Sequence, residues 1–106
     1  MKTTYNKLIR DRIPEIIHAA GKQAHIEVMT EPQYRQALLK KLVEEAQEAA
    51  QAGEGELVTE LADLYEVIDA VLTAWHISRE EVLERQHERR QQRGGFERRL
   101  KLLWTE

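Results

Sequence analysis

Residues Lys40–Asp69 read KKLVEEAQEAAQAGEGELVTELADLYEVID, and the fold turns on how this stretch is arranged. Two acidic clusters, Glu44-Glu45-x-x-Glu48 and Glu60-x-x-Asp63, flank the break Gly53-Glu54-Gly55. The spacing predicts two antiparallel helices joined by a tight turn. In such a hairpin, residues at equal distance from the turn come level. Glu48 and Glu60 are each six residues from Glu54, and Glu45 and Asp63 are each nine. Four carboxylates are therefore expected to face one another in two rungs. Within each pair the i, i+3 spacing keeps both members on one side of their helix. Clustered carboxylates repel and are costly to desolvate, and a hard divalent cation with all-oxygen ligation offsets both costs. Mg²⁺ fits that donor set, with Mn²⁺ as the alternative. Glu45, Glu48, Glu60 and Asp63 are the candidate ligands.

The helices that carry the clusters have their own signals. Thr30-Glu31-Pro32-Gln33 reads as a capping box with proline in the first turn, starting a helix that runs to about Ala52. Tyr34, Leu38, Leu42 and Ala49 form its apolar stripe, and Glu45 projects into that stripe. A charge on the apolar face breaks the binary pattern, which is where functional sites concentrate. Lys41 and Glu48 lie at the stripe's edge, and Glu44 lies further out. The next helix is expected from about Glu56 to Trp75. Leu57, Leu61, Leu64, Ile68, Val71, Leu72 and Trp75 form one broad face, widened by Val58, Tyr65, Val67 and Ala74. Apolar residues cover more than half its circumference, so a homodimer or homotetramer is expected to bury it. Glu66 and Asp69 repeat the acidic spacing but project to the polar side.

Outward from the hairpin, Asp11 is read as the N-cap of a short helix with Ile13, Ile16, Ile17 and Ala20 on one face, ended by Gly21. Residues 22–29 alternate weakly in hydropathy. They could pair with Leu100-Lys101-Leu102 in a two-stranded ribbon or form an extended arm, so short extended segments are expected near 23–29 and 98–104. Ser78-Arg79-Glu80-Glu81 is a second capping box, opening a polar helix to about Arg93 that Gly94-Gly95 ends. The fold class expected is all-α, with about four helices, a hairpin core and oligomeric pairing, in a single domain over residues 1–106.

Composition narrows the chemistry. The chain has 106 residues, 33% of them charged, a net charge of −3 and no cysteine. Thiolate metal sites and disulfides are excluded, and no global field draws in nucleic acid. The basic run from Arg85 to Lys101 lacks a DNA-binding motif and is interrupted by Glu88 and Glu97, so it reads as a solvated face. The opening MKTTYNKLIRDRIPE has no apolar core of signal-peptide length, and no apolar run is long enough to cross a membrane. A cytoplasmic location is expected. The four histidines share no ligand spacing. Lys7, Arg10 and Arg12 near the start are candidate phosphate ligands, joined by Lys41 and by Arg93 beside the glycine pair.

Glu44-Glu45-x-x-Glu48 followed by Glu60-Leu-Ala-Asp63 resembles the signature of the all-α NTP pyrophosphohydrolase superfamily, which includes MazG-like enzymes. The opening Tyr5-Asn-Lys-Leu-Ile-Arg-Asp-Arg-Ile-Pro-Glu15 and the closing Arg93-Gly-Gly-Phe96 resemble its phosphoribosyl-ATP pyrophosphohydrolase-like branch, which implies a house-cleaning NTP pyrophosphatase. The resemblance implies a helical bundle of paired subunits. It also implies Mg²⁺-dependent hydrolysis of a nucleoside triphosphate to monophosphate and pyrophosphate. Carried onto this chain, Glu45, Glu48, Glu60 and Asp63 would hold metal. Glu44 would support them or position the water, making Glu44 and Glu45 the catalytic candidates. The spacer between Glu48 and Glu60 is short for the superfamily. The rival expectation is a nucleotide-binding regulatory dimer without turnover.

Overall fold

The helix that opens the hairpin starts where its capping box places it. Thr30 Oγ1 accepts from the Gln33 amide at 3.4 Å, and Gln33 Oε1 accepts from the Thr30 amide at 3.1 Å. Two first-turn amides that a helix leaves unpaired are thereby satisfied. In the computed structural model, which describes residues 2–106, the chain is all-α with four helices. They are α1 (Ile13–Ala19), α2 (Glu31–Gln51), α3 (Leu57–Ala74) and α4 (Arg79–Arg93). No helix is long and apolar enough to cross a membrane among the described residues.

The hairpin forms as expected. After Gln51 the backbone of Ala52 is extended, and the Glu56 amide closes a turn onto the Gly53 carbonyl at 3.0 Å. α2 and α3 then pack along their length, and among the described residues they supply the buried ones, Leu38, Glu45 and Val67. The open end is clamped by Arg35. Its guanidinium donates to the Ala74 carbonyl at 2.8 Å and lies 5.1 Å from the centre of the Trp75 ring. The start of α4 is tied to α3 where Arg79 donates to Asp69 at 3.0 Å, so Asp69 anchors the fold as well as meeting solvent.

Three local expectations are corrected. Asp11 does not cap α1. Arg12 occupies the cap position in a helical conformation without a side-chain bond, and proline in the first turn removes one of the amides a cap would serve. At Ser78 only half of the box forms: its hydroxyl accepts from the Glu81 amide at 3.1 Å. The ribbon between 22–29 and 100–102 is absent, and no strand occurs among the described residues. Both segments run without regular structure and are largely exposed, because a two-stranded pairing needs a face to pack on and neither finds one in its own chain. Gly21 does end α1. At φ +76 it lets the Lys22 amide reach the Ile17 carbonyl and its own amide reach His18, which closes the last turn.

The single chain is extended. Its radius of gyration is 18.5 Å and its extents are 59 × 34 × 26 Å, whereas a compact chain of this length has a radius near ~13 Å. Val58 and Tyr65 on α3 are 79% and 61% exposed, so one flank of the broad apolar face is left open, while Leu64, Ile68, Val71, Leu72 and Trp75 are half-buried and Val67 is buried within this chain.

Candidate metal centre

Packing of α2 on α3 brings three carboxylates together. Glu45 lies on the buried stripe one turn and three residues after Leu38 and is only 7% exposed. Glu60 sits in the first turn of α3, where the helix dipole favours an acid. Asp63 follows one turn later. One carboxylate oxygen from each of Glu45, Glu60 and Asp63 lies within 4.8 Å of the others. Glu45 Oε2 and Glu60 Oε2 are both shut off from solvent and accept no hydrogen bond. Two buried acceptors without donors, on carboxylates that stand in a cluster of like charge, are an arrangement that a cation relieves. Loss of water raises the Glu60 pKa above its ordinary value. The neighbouring charges of Glu48 and Asp63, contact with the Glu48 carboxyl, and the charge of Glu45 add to that effect.

Glu48 lies outside the set of three mutually close oxygens but touches the Glu60 carboxyl, as its level with Glu60 predicts. It is exposed, yet its charge reaches Glu60. Equal distance from the turn sets height along the hairpin but not direction about the axis. At three residues from Glu45, Glu48 points about 60° away.

Two of the expected cations are at the site. Arg10 donates to Asp63 Oδ1 at 2.8 Å, and Lys41 Nζ lies 3.5 Å from Glu45 Oε1. Glu44, about 100° round α2 from Glu45, is half-buried and lines a small cavity of about 70 Å³ with Lys7, Lys40 and Lys41. That cavity therefore gathers three lysines beside one carboxylate, a lining suited to phosphate oxygens. Sequence reasoning missed Lys40. The signal was present: Lys40 and Lys41 stand four residues before Glu44 and Glu45, so the two pairs run in parallel. Arg12 and Arg93 are not brought in. Arg12 pairs with Glu15 at 3.3 Å on the surface, and Arg93 ends α4, exposed, with no acidic partner from the cluster. A hollow of about 380 Å³ beside α1, lined by Pro14, Ile17 and Ile26 among others, holds no carboxylate, so it is not the metal site.

Comparison with protein-family models, with curated proteins and with solved structures gives no match for this chain. The case for its chemistry therefore rests on its own residues.

Proposed function

We propose that the chain is a nucleoside triphosphate pyrophosphohydrolase that uses Mg²⁺, or Mn²⁺, held by Glu45, Glu60 and Asp63 with Glu48 beside them. The observation that carries this reading is the pair of solvent-excluded oxygens without a donor, Glu45 Oε2 and Glu60 Oε2, on two residues whose carboxylates cluster with that of Asp63. An all-carboxylate set suits a hard cation, and the adjoining lysines suit phosphate. When bound, a divalent cation neutralises phosphate charge and lowers the pKa of a bound water. Glu44 or Glu45 takes the proton as the water oxygen bonds to phosphorus. The anhydride bond between the α and β phosphates breaks, and pyrophosphate leaves with the electron pair. Lys7, Lys41 and Arg10 balance the charge of the triphosphate. The substrate class is a nucleoside triphosphate, non-canonical ones included, in a house-cleaning role in the cytoplasm. The active form is a homodimer or homotetramer, because the Val58 and Tyr65 flank of α3 is left open in one chain. Nucleic acid and membrane are not its partners on this reading.

Release of pyrophosphate from a panel of canonical and modified nucleoside triphosphates tests the reading. Glu45→Gln and Asp63→Asn are expected to abolish Mg²⁺-dependent turnover with the helical signal kept, and full activity in either overturns the ligand assignment. One observation favours a second reading, a regulatory nucleotide-binding dimer: Arg10 and Lys41 already pair with Asp63 and Glu45. Nucleotide binding without pyrophosphate release across the panel would select it.

A further inference from the structure

The half of the molecule that the metal centre leaves unused is α4 and the segment after it. α4 buries no residue, and every residue from 76 to 106 is exposed. A 15-residue helix of this kind, almost wholly polar, gains nothing from packing on its own chain. Yet the segment that follows is not polar. Phe96 is 97% exposed, Leu100 74%, Leu102 79%, Leu103 76% and Trp104 71%. Apolar residues of this size, open to water in a run of nine positions, exceed the scattered exposure normal for a monomer.

The surface area measures the deficit. The chain exposes 10329 Å², whereas a folded monomer of 12.4 kDa exposes about 6,100 Å². The excess, on the order of 4,000 Å² per chain, is larger than the ~800 Å² per partner of an ordinary interface, and burying only part of it reaches the range of obligate assemblies. Charge points to what covers it. Residues 85–101 carry seven Lys or Arg against two Glu, a net +5, while residues 1–78 carry eight Lys or Arg against thirteen Asp or Glu, a net −5. Over the whole arm, residues 79–106, eight Lys or Arg stand against six Glu, a net +2, so it is the stretch from Arg85 to Lys101 that complements the body of the same kind of chain. It is also long enough: α4 spans about 22 Å, and the residues beyond it reach up to ~40 Å if extended. The body they would cross belongs to a molecule 34 × 26 Å in its two shorter dimensions. Two backbone features aim the arm. Gly94 at φ +80 ends α4, and Arg99 at φ +57 turns the chain just before Leu100.

We propose that α4 and residues 94–106 form an arm that clasps the body of a second copy of this chain, seating Phe96, Leu100 and Leu102–Trp104 on its exposed apolar surface while the arginines meet its acids. The second copy's Leu39, Val43, Val58 and Tyr65, exposed on α2 and α3, offer that apolar surface. The proposal rests on the reading that the chain is a homo-oligomer and is independent of any catalytic activity.

Sedimentation velocity on the full chain tests it, at fixed salt over a range of protein concentrations. Two variants are compared with the unaltered chain: Leu102→Ser/Trp104→Ser and Arg98→Glu/Arg99→Glu. All four positions lie outside every helix, so circular dichroism reports whether the fold is kept. The unaltered chain is expected to associate, and each variant to weaken association about tenfold or more with unchanged helicity. Added salt should weaken the unaltered chain more than the charge-reversed one. A chain that stays monomeric at all concentrations overturns the clasp and the oligomer together. A chain that associates equally well with either pair of substitutions overturns the clasp alone and leaves the oligomer standing.

Discussion

Replacing Glu45 with leucine should make the metal-free protein more stable and the metal-loaded protein relatively less so. Glu45 is 7% exposed, its Oε2 has no donor, and its only ion-pair partner is Lys41 at 3.5 Å. A buried acceptor left without a partner costs about 1–3 kcal/mol. The Lys41 pair returns at most about 1 kcal/mol, since its amine can reach water without Glu45. Leucine matches the surrounding stripe of Leu38 and Leu42, so Glu45→Leu should gain about 1–2 kcal/mol without metal, as apolar replacements of buried ions often do. For a chain of this length, 1 kcal/mol moves Tm by about 4–8 °C, so a rise of about 5–10 °C is expected in chelator. Mg²⁺ at a hundredfold its Kd should then stabilise the unaltered protein by about 2.7 kcal/mol and the variant hardly at all. The order of melting inverts. Differential scanning calorimetry with and without Mg²⁺, at one protein concentration, measures this. A variant that melts lower than the unaltered chain in chelator, or that gains as much from Mg²⁺, would refute the argument that Glu45 is buried for a cation.

Three further outcomes are expected. Loss of water and the neighbouring acids raise the Glu60 pKa from its ordinary value. The folded state therefore binds more protons than the unfolded state there, and stability falls as pH rises from about 4.5 through the raised value. Melting curves of Glu60→Gln should lack that share of the decline, and identical pH profiles for the two proteins would count against it. Arg35→Ala removes a charge-assisted bond to the Ala74 carbonyl and the contact with Trp75, so chemical denaturation should show a loss of about 2–3 kcal/mol. Arg35→Lys should recover only part of that, since an ammonium cannot both stack and reach the carbonyl in the same way. Arg10→Ala should cost under about 1 kcal/mol, because the pair with Asp63 is open to solvent. On the proposed reading it also raises KM for nucleotide, and an unchanged KM would remove Arg10 from the phosphate site.

Much of the hairpin was legible because its signals are local. The Thr30–Gln33 box, the glycine break and the i, i+3 acids each depend on residues within one turn of one another. The charge of Glu45 inside an apolar stripe was visible for the same reason, and it led to the position with the unsatisfied oxygen. Glu48 shows the limit of counting. It was placed level with Glu60, and it does influence Glu60, but its direction about the helix axis keeps it out of the close trio. The ribbon expected from residues 22–29 failed because alternation is necessary for a strand and does not supply the partner. Asp11 failed as a cap because a residue suited to a role is not thereby placed in it.

The sequence by itself determined where the four helices lie and which carboxylates share a side of α2 and of α3, since hydrogen bonds and side-chain neighbours three and four residues apart define both. Only the tertiary structure decided which oxygens lost their water, that Arg10 crosses 53 positions to reach Asp63, and that Lys7 and Lys40 join Lys41 beside Glu44. Those placements depend on how α2 rotates against α3 and where the opening segment lies on them. Packing fixes that rotation through burial summed over the whole interface, and no local run of residues encodes it.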